Sequence, residues 1–275
     1  KRTGSLVHPC ARRLVARRES LYDGRMADAD RLSRLVSELA SDPRYAVGAR
    51  RFPLPVSDGE AVAIAEALSE EFDGGTAERG RLAAAQGLNI YCRAGCSACC
   101  DILVMAYRPE TLRIARFLSL PENAALREGF LARYKAWREA AGDVPERLSA
   151  LFVAGRQKEY DALHNEHFRR RIRCAFNDQG RCTIYPVRPI ACRNAHALDT
   201  DAHCCADPPD GRPAAAVGFV PLERFMKDAL RILRATHNAT TTRRHEQESI
   251  CAAVHRHLSP PSRGNQGGVR GAPAR

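Results

Sequence analysis

Aromatic residues are scarce in this chain, at 6% of 275 positions, while alanine, leucine and arginine are common. That balance favours helices, because these residues cost little in a helix interior. No stretch reaches the roughly 18 consecutive apolar residues of a membrane-spanning helix. The N-terminal SLVHPCARRLVARR has no apolar core region, being broken by charge and proline, which argues against a secretory signal. Internal repeats are absent too. At 44% hydrophobic and 27% charged residues, the composition is that of an ordinary globular protein.

The net charge of +11 sits mostly at the ends: residues 1–25 carry a net +5 and residues 259–275 a net +3. Basicity confined to tails does not point to a nucleic-acid surface. Residues 1–25 read as a basic leader, disordered or upstream of a start at Met26. Residues 259–275 read as a disordered tail. Between them, residues 26–258 read as a single helical domain. The expected fold is mainly α, an irregular helical domain with few or no strands, in which two cysteine-rich loop regions meet at a metal site.

Helical spacing of Leu32, Leu35, Val36 and Leu39 predicts a helix over 28–40. Ser57 or Asp58 can cap a second helix, with Glu60 at the capping-box position for Ser57. Gly74-Gly75 is expected to end it near Phe72, and a third helix is expected over 76–88. ILVMAY at 102–107 fits a strand or a buried helix start. Further helices are expected at 109–118, 121–141, 145–167, 221–237 and 243–257.

What the chain does have is cysteine, eleven in all. Without a secretory signal, such cysteines are more often metal ligands or redox groups than disulfides. The same reasoning places the protein in the cytoplasm, with no membrane partner. CRAGCSACC puts Cys92, Cys96, Cys99 and Cys100 within nine residues. On a straight helix all four share one face, yet Cys92 and Cys100 lie about 12 Å apart along the axis. A zinc ion needs each sulfur at about 2.3 Å, so the segment bends at Gly95 or its thiols serve more than one metal position. Adjacent side chains diverge, so Cys96 and Cys99 are expected to share a centre while Cys100 reaches a second centre or bridges.

The second region, within 169–206, supplies Cys174, Cys182 and Cys192, then Cys204 and Cys205 behind His203, which can replace a cysteine ligand. With the first region at 88–106 it forms two halves of one site. The donor count suits two mononuclear zinc or iron centres, or an iron–sulfur cluster with spare thiols. Arginines crowd the segment, and positive charge lowers thiol pKa values. Arg188 and Arg193 are candidates to hydrogen-bond the sulfurs. Tyr185 is a further neighbour, expected to pack. His164 and His167 are expected to form a surface pair, His196 to be structural, and Cys10 and Cys251 to be bystanders.

These two motifs carry a resemblance. Cys92, Cys96, Cys99 and Cys100 match the dense cluster of the YkgJ-type cysteine-cluster family. Gly180, Cys182, Ile184, Tyr185, Arg188, Pro189, Cys192 and Arg193, led by Cys174, match its later segment. The match spans about residues 88–206. The resemblance implies a zinc- or iron-chelating protein. One branch it brings to mind, flagellin lysine N-methylase, implies the alternative of an iron or iron–sulfur enzyme acting on a protein or peptide. No strand followed by a glycine-rich G-x-G turn is present for a methyl donor. The cofactor expected is zinc or iron.

Overall fold

The computed structural model describes residues 54–55, 57–85, 97–194, 223–242 and 246–259. Its described part is mainly α, with eight helices and two two-stranded ladders. The expected helix over 28–40 lies outside the described residues, as do both termini.

Helix α1 (Asp58–Ala85) begins as the sequence predicts, with the Glu60 amide donating to Ser57 Oγ at 3.3 Å. Ala61, Ile64, Ala65, Leu68 and Phe72 form its buried stripe, the i, i+3, i+4 spacing of an amphipathic helix. The expected stop at Gly74-Gly75 does not occur, and no separate helix begins at 76. A glycine inside a helix costs only about 1 kcal/mol relative to alanine. The hydrogen bond from Thr76 Oγ1 to the Phe72 carbonyl, 2.9 Å, ties the two sides of the glycine pair.

The ambiguous 102–107 run resolves into strand β1 (Met105–Ala106), followed by α2 (Arg108–Ser119). Pro109 sits in the first turn of α2, where its missing amide leaves no bond unmade. Residues 121–123 form a 3-10 turn into α3 (Ala124–Ala141). The single helix expected at 145–167 is two, α4 (Val144–Val153) and α5 (Gln157–Arg169). They are separated at Gly155, whose φ of +67° suits glycine and few other residues.

Next come strands β2 (Asn177–Asp178) and β3 (Arg181–Cys182), helix α6 (Ile190–Arg193), helix α7 (Glu223–Thr240), strand β4 (Glu248–Ser249) and helix α8 (Ile250–Leu258). The helix expected from residue 243 therefore starts at Ile250, because 248–249 pair with β1 instead. That antiparallel register sets Met105 opposite Ser249 and Ala106 opposite Glu248.

Helix α2 is the hub, packing against α1, α3, α7 and α8. Ile114 and Leu118 join a core containing Phe130, Trp137, Leu148, Phe176, Ile184 and Val254. A second core joins α1 to α7 through Leu68, Phe72, Ala229 and Leu233, with Ile190 of α6 inserted. Among the described residues no helix is long and apolar enough to cross a membrane.

Candidate functional site

The cysteine residues stand where two loop segments join. Residues 98–101 form a 3-10 turn carrying Cys99 and Cys100. The Cys174 amide donates to the Cys100 carbonyl at 2.8 Å. Arg173 clamps the same turn, donating to the Ser97 carbonyl at 3.0 Å and to Ser97 Oγ at 2.8 Å. Its Nε meets Asp101 at 2.9 Å, and Arg171 meets the other oxygen of that buried carboxylate at 3.8 Å. Two positive charges thus balance a carboxylate that burial alone would penalise.

Cys182 is placed by the β2–β3 hairpin. Gln179 and Gly180 both have positive φ, +47° and +87°, as a two-residue hairpin loop of the primed type requires. The Gly180 amide donates to Asn177 Oδ1 at 3.0 Å. The glycine of the second motif therefore sets the register of Cys182. Below the hairpin, Phe176 stacks on Phe130 with centroids 4.2 Å apart and planes 7° from parallel.

Cys192 lies on α6, held from two directions. The buried carboxylate of Glu110 accepts the Ile190 amide at 2.9 Å. Arg193 pairs with Asp73 of α1 and donates to the carbonyls of Arg188, at 2.8 Å, and Pro186, at 2.6 Å. Of the two arginines offered as candidates to bond sulfur, Arg193 has its guanidinium engaged in anchoring the loop. Tyr185 is half exposed and lies under the Arg188 guanidinium, 4.0 Å from ring centroid to Cζ.

The thiols respond to one another. Cys100 is pulled down to about 7, first by the hydrogen bond with Cys99, then by Asn177 and the Arg173 charge, against burial. Asn177 Nδ2 donates to Cys100 Sγ at 3.3 Å. Cys174 is pushed well above the usual thiol range, first by its hydrogen bond with Cys251, then by burial and by Cys100. Burial, then Cys174 and Cys100, push Cys182 up to about 11. Burial, then Cys174, Cys182 and Cys100, push Cys192 well up. Cys100, Cys174, Cys182 and Cys192 therefore all lie within electrostatic reach of one another.

The vicinal pair diverges in part. Cys99 lines a cavity of about 200 Å³ with Cys192, His164, Tyr160 and Gln247, while Cys100 faces Asn177. The two thiols still hydrogen-bond each other. His164 and His167 are not the expected surface pair. His167 is only 1% exposed, and burial lowers its pKa to about 4. His164 bonds the Leu103 carbonyl at 2.9 Å and stacks on Tyr160. Both face inward because Leu163 and Phe168 turn this side of α5 to the core.

Sequence reasoning missed three participants. Cys251, taken for a bystander, is buried with its Sγ 3.6 Å from that of Cys174; it lies too far along the chain for spacing to reveal it. Asn177 carried one signal, its place three residues before the turn glycine. Arg173 was one arginine in a crowd. Cys92, Cys96, Cys204, Cys205, His203, His196 and Cys10 lie outside the described residues.

The donor set suits a soft cation. Thiolates bind zinc and iron, and protons held on buried thiols are those a metal displaces. Arg188 Nε is buried without a hydrogen-bond partner among the described residues, beside Cys182 and Cys192, whose pKa values its charge lowers. It is a donor suited to thiolate sulfur. As they stand, no three His, Cys, Asp or Glu side chains among the described residues are gathered to hold an ion. Cys99, Cys100, Cys174, Cys182 and Cys192 would supply ligands, and the ion would supply the charge that keeps them deprotonated. Comparisons of this chain with protein-family models, with curated proteins and with solved structures found no match.

Proposed function

We propose that this protein binds zinc or iron through cysteine thiolates drawn from both segments, with Cys99, Cys100, Cys174, Cys182 and Cys192 among the ligands. The observation that carries the reading is the junction itself. The Cys174–Cys100 backbone bond of 2.8 Å joins segments 74 positions apart in sequence, and Cys182 and Cys192 lie within electrostatic reach of both thiols. An arginine clamp holds the turn that carries Cys99 and Cys100, and a hairpin places Cys182. Cys92, Cys96, Cys204 and Cys205 are proposed to complete the donor set.

Membership of the YkgJ-type family belongs to the same proposal. It is supported by the role of Gly180, whose positive φ makes the turn before Cys182. A reducing cytoplasmic setting is proposed with it, since free thiols persist there.

The test is purification under strict exclusion of oxygen, followed by elemental analysis and an absorption spectrum. Bound zinc or iron in near-integral ratio to protein is the expected result. A chain that carries neither metal, and takes up neither after anaerobic reconstitution, overturns the reading.

A further inference from the structure

Cys251 lies beyond the segment that carries the family resemblance, on the first turn of α8. A buried single cysteine is ordinarily a small apolar residue. Its neighbour makes this one different: the sulfurs of Cys174 and Cys251 are 3.6 Å apart. A disulfide would bring them to about 2.05 Å. Two ligands of one tetrahedral ion with metal–sulfur bonds of about 2.3 Å stand roughly 3.8 Å apart, the edge of the tetrahedron. Cysteines bound to different irons of a cluster stand further apart than two on a single ion. The observed 3.6 Å is that of two thiols in hydrogen-bond contact, and it lies close enough to the tetrahedral edge for both sulfurs to reach one ion with little movement.

Each member of the pair is anchored by backbone. The Cys174 amide is bonded to Cys100. Next to Cys251, the Ile250 amide donates to the Val104 carbonyl at 3.0 Å, continuing the β1–β4 ladder. The backbone bond of Cys174 brings Cys100, a further thiol, beside the pair.

We propose that Cys174 and Cys251 are two ligands of one mononuclear tetrahedral thiolate site, with α8 contributing the ligand that neither cysteine-rich segment contains. Each thiol releases one proton to solvent as its sulfur–metal bond forms, and nothing is oxidised or reduced. The inference rests on the metal-binding reading above.

The test uses the full chain, reduced and freed of metal, with Zn2+ and 113Cd2+ as probes. Cys251→Ser is expected to weaken zinc binding in competition titrations by more than the roughly 10–100-fold typical of losing an outer-sphere contact. Cys10→Ser is expected to leave it unchanged. Should Cys251→Ser fail to fold by circular dichroism, the cadmium-loaded wild type decides. One 113Cd resonance is expected to couple to the β-protons of both Cys174 and Cys251. Wild-type zinc affinity in a folded Cys251→Ser protein overturns the inference, as does cadmium coupled to Cys174 but not to Cys251. In both cases metal binding itself survives. A wild type that takes up neither probe overturns the metal-binding reading and this inference together.

Discussion

Glu110 shows how one buried group links the core to the site. It is 6% exposed, and burial raises its pKa to about 7, although the Ile190 and Tyr107 amides and the Arg113 and Arg193 charges favour the carboxylate. A carboxyl with a raised native pKa binds its proton more tightly folded than unfolded. Its contribution to stability is complete below about pH 4.3, the unfolded value, and is lost as pH rises toward 7. Glu110→Gln should therefore flatten that decline, so that its stability relative to wild type improves as pH rises from about 4.3 to 7. Denaturant titrations at several pH values would check this. His167 acts in the opposite sense: its lowered pKa, about 4, means stability is lost as pH falls from about 6.5. The two effects partly offset between pH 4.5 and 6.5, so the single variant is the informative measurement. Phe176 is fully buried against Phe130 beneath the hairpin. Phe176→Ala should cost about 3–5 kcal/mol, measured by thermal or chemical unfolding. Single residues also mark where sequence reasoning stops. Gly74 and Gly155 are the same residue type, yet one continues a helix and the other ends one. The backbone conformation differs: Gly155 has a φ of +67°, while Gly74 keeps the helical conformation.

At the scale of elements, α1 is longer than its sequence implies: it runs through the glycine pair to Ala85, past the end of its buried stripe at Phe72. A Cβ at Gly74 would meet nothing within 4 Å. Gly74→Ala should then stabilise the protein by about 0.5–1 kcal/mol, seen as a higher unfolding midpoint. No gain would indicate a chain that breaks there. Helix α6 is too short to hold itself and depends on Arg193, whose side chain is 4% exposed. Arg193→Ala removes the tie to Asp73 and leaves the Pro186 and Arg188 carbonyls without it. Asp73 is 53% exposed and stays solvated, so the loss, about 1.5–3 kcal/mol, comes from the charge-assisted hydrogen bonds to the two carbonyls. Amide hydrogen exchange should accelerate in residues 183–194, with the α3–α4 amides little affected. The capping of α1, the first turn of α2 and the apolar stripe of α1 were legible in the sequence because each is a local pattern. The split between α4 and α5 was not, because the helical period runs on through residues 145–167 and only Gly155 interrupts it.

Over the whole molecule, metal and fold should be coupled. An ion that binds only the folded chain stabilises it by about 4 kcal/mol at a thousandfold excess over its dissociation constant. Under reducing conditions zinc should raise the melting temperature of wild type, a chelator should reverse the rise, and Cys100→Ser and Cys174→Ser should abolish most of it. An unchanged melting temperature would count against a ligand set built from both segments. The sequence by itself determined the helical character, through its composition and helical spacing, and it marked out the two cysteine segments, because spacing and residue type are local properties. It also implied that the segments meet. Only the tertiary structure decided how they meet: through the Cys100–Cys174 backbone bond, with Arg173 as clamp and Arg193 as anchor. It alone brought Cys251 against Cys174. Chain separation carries no information about contact once β1 pairs with β4 and α8 packs on α2, and those long-range pairings set which thiols face one another.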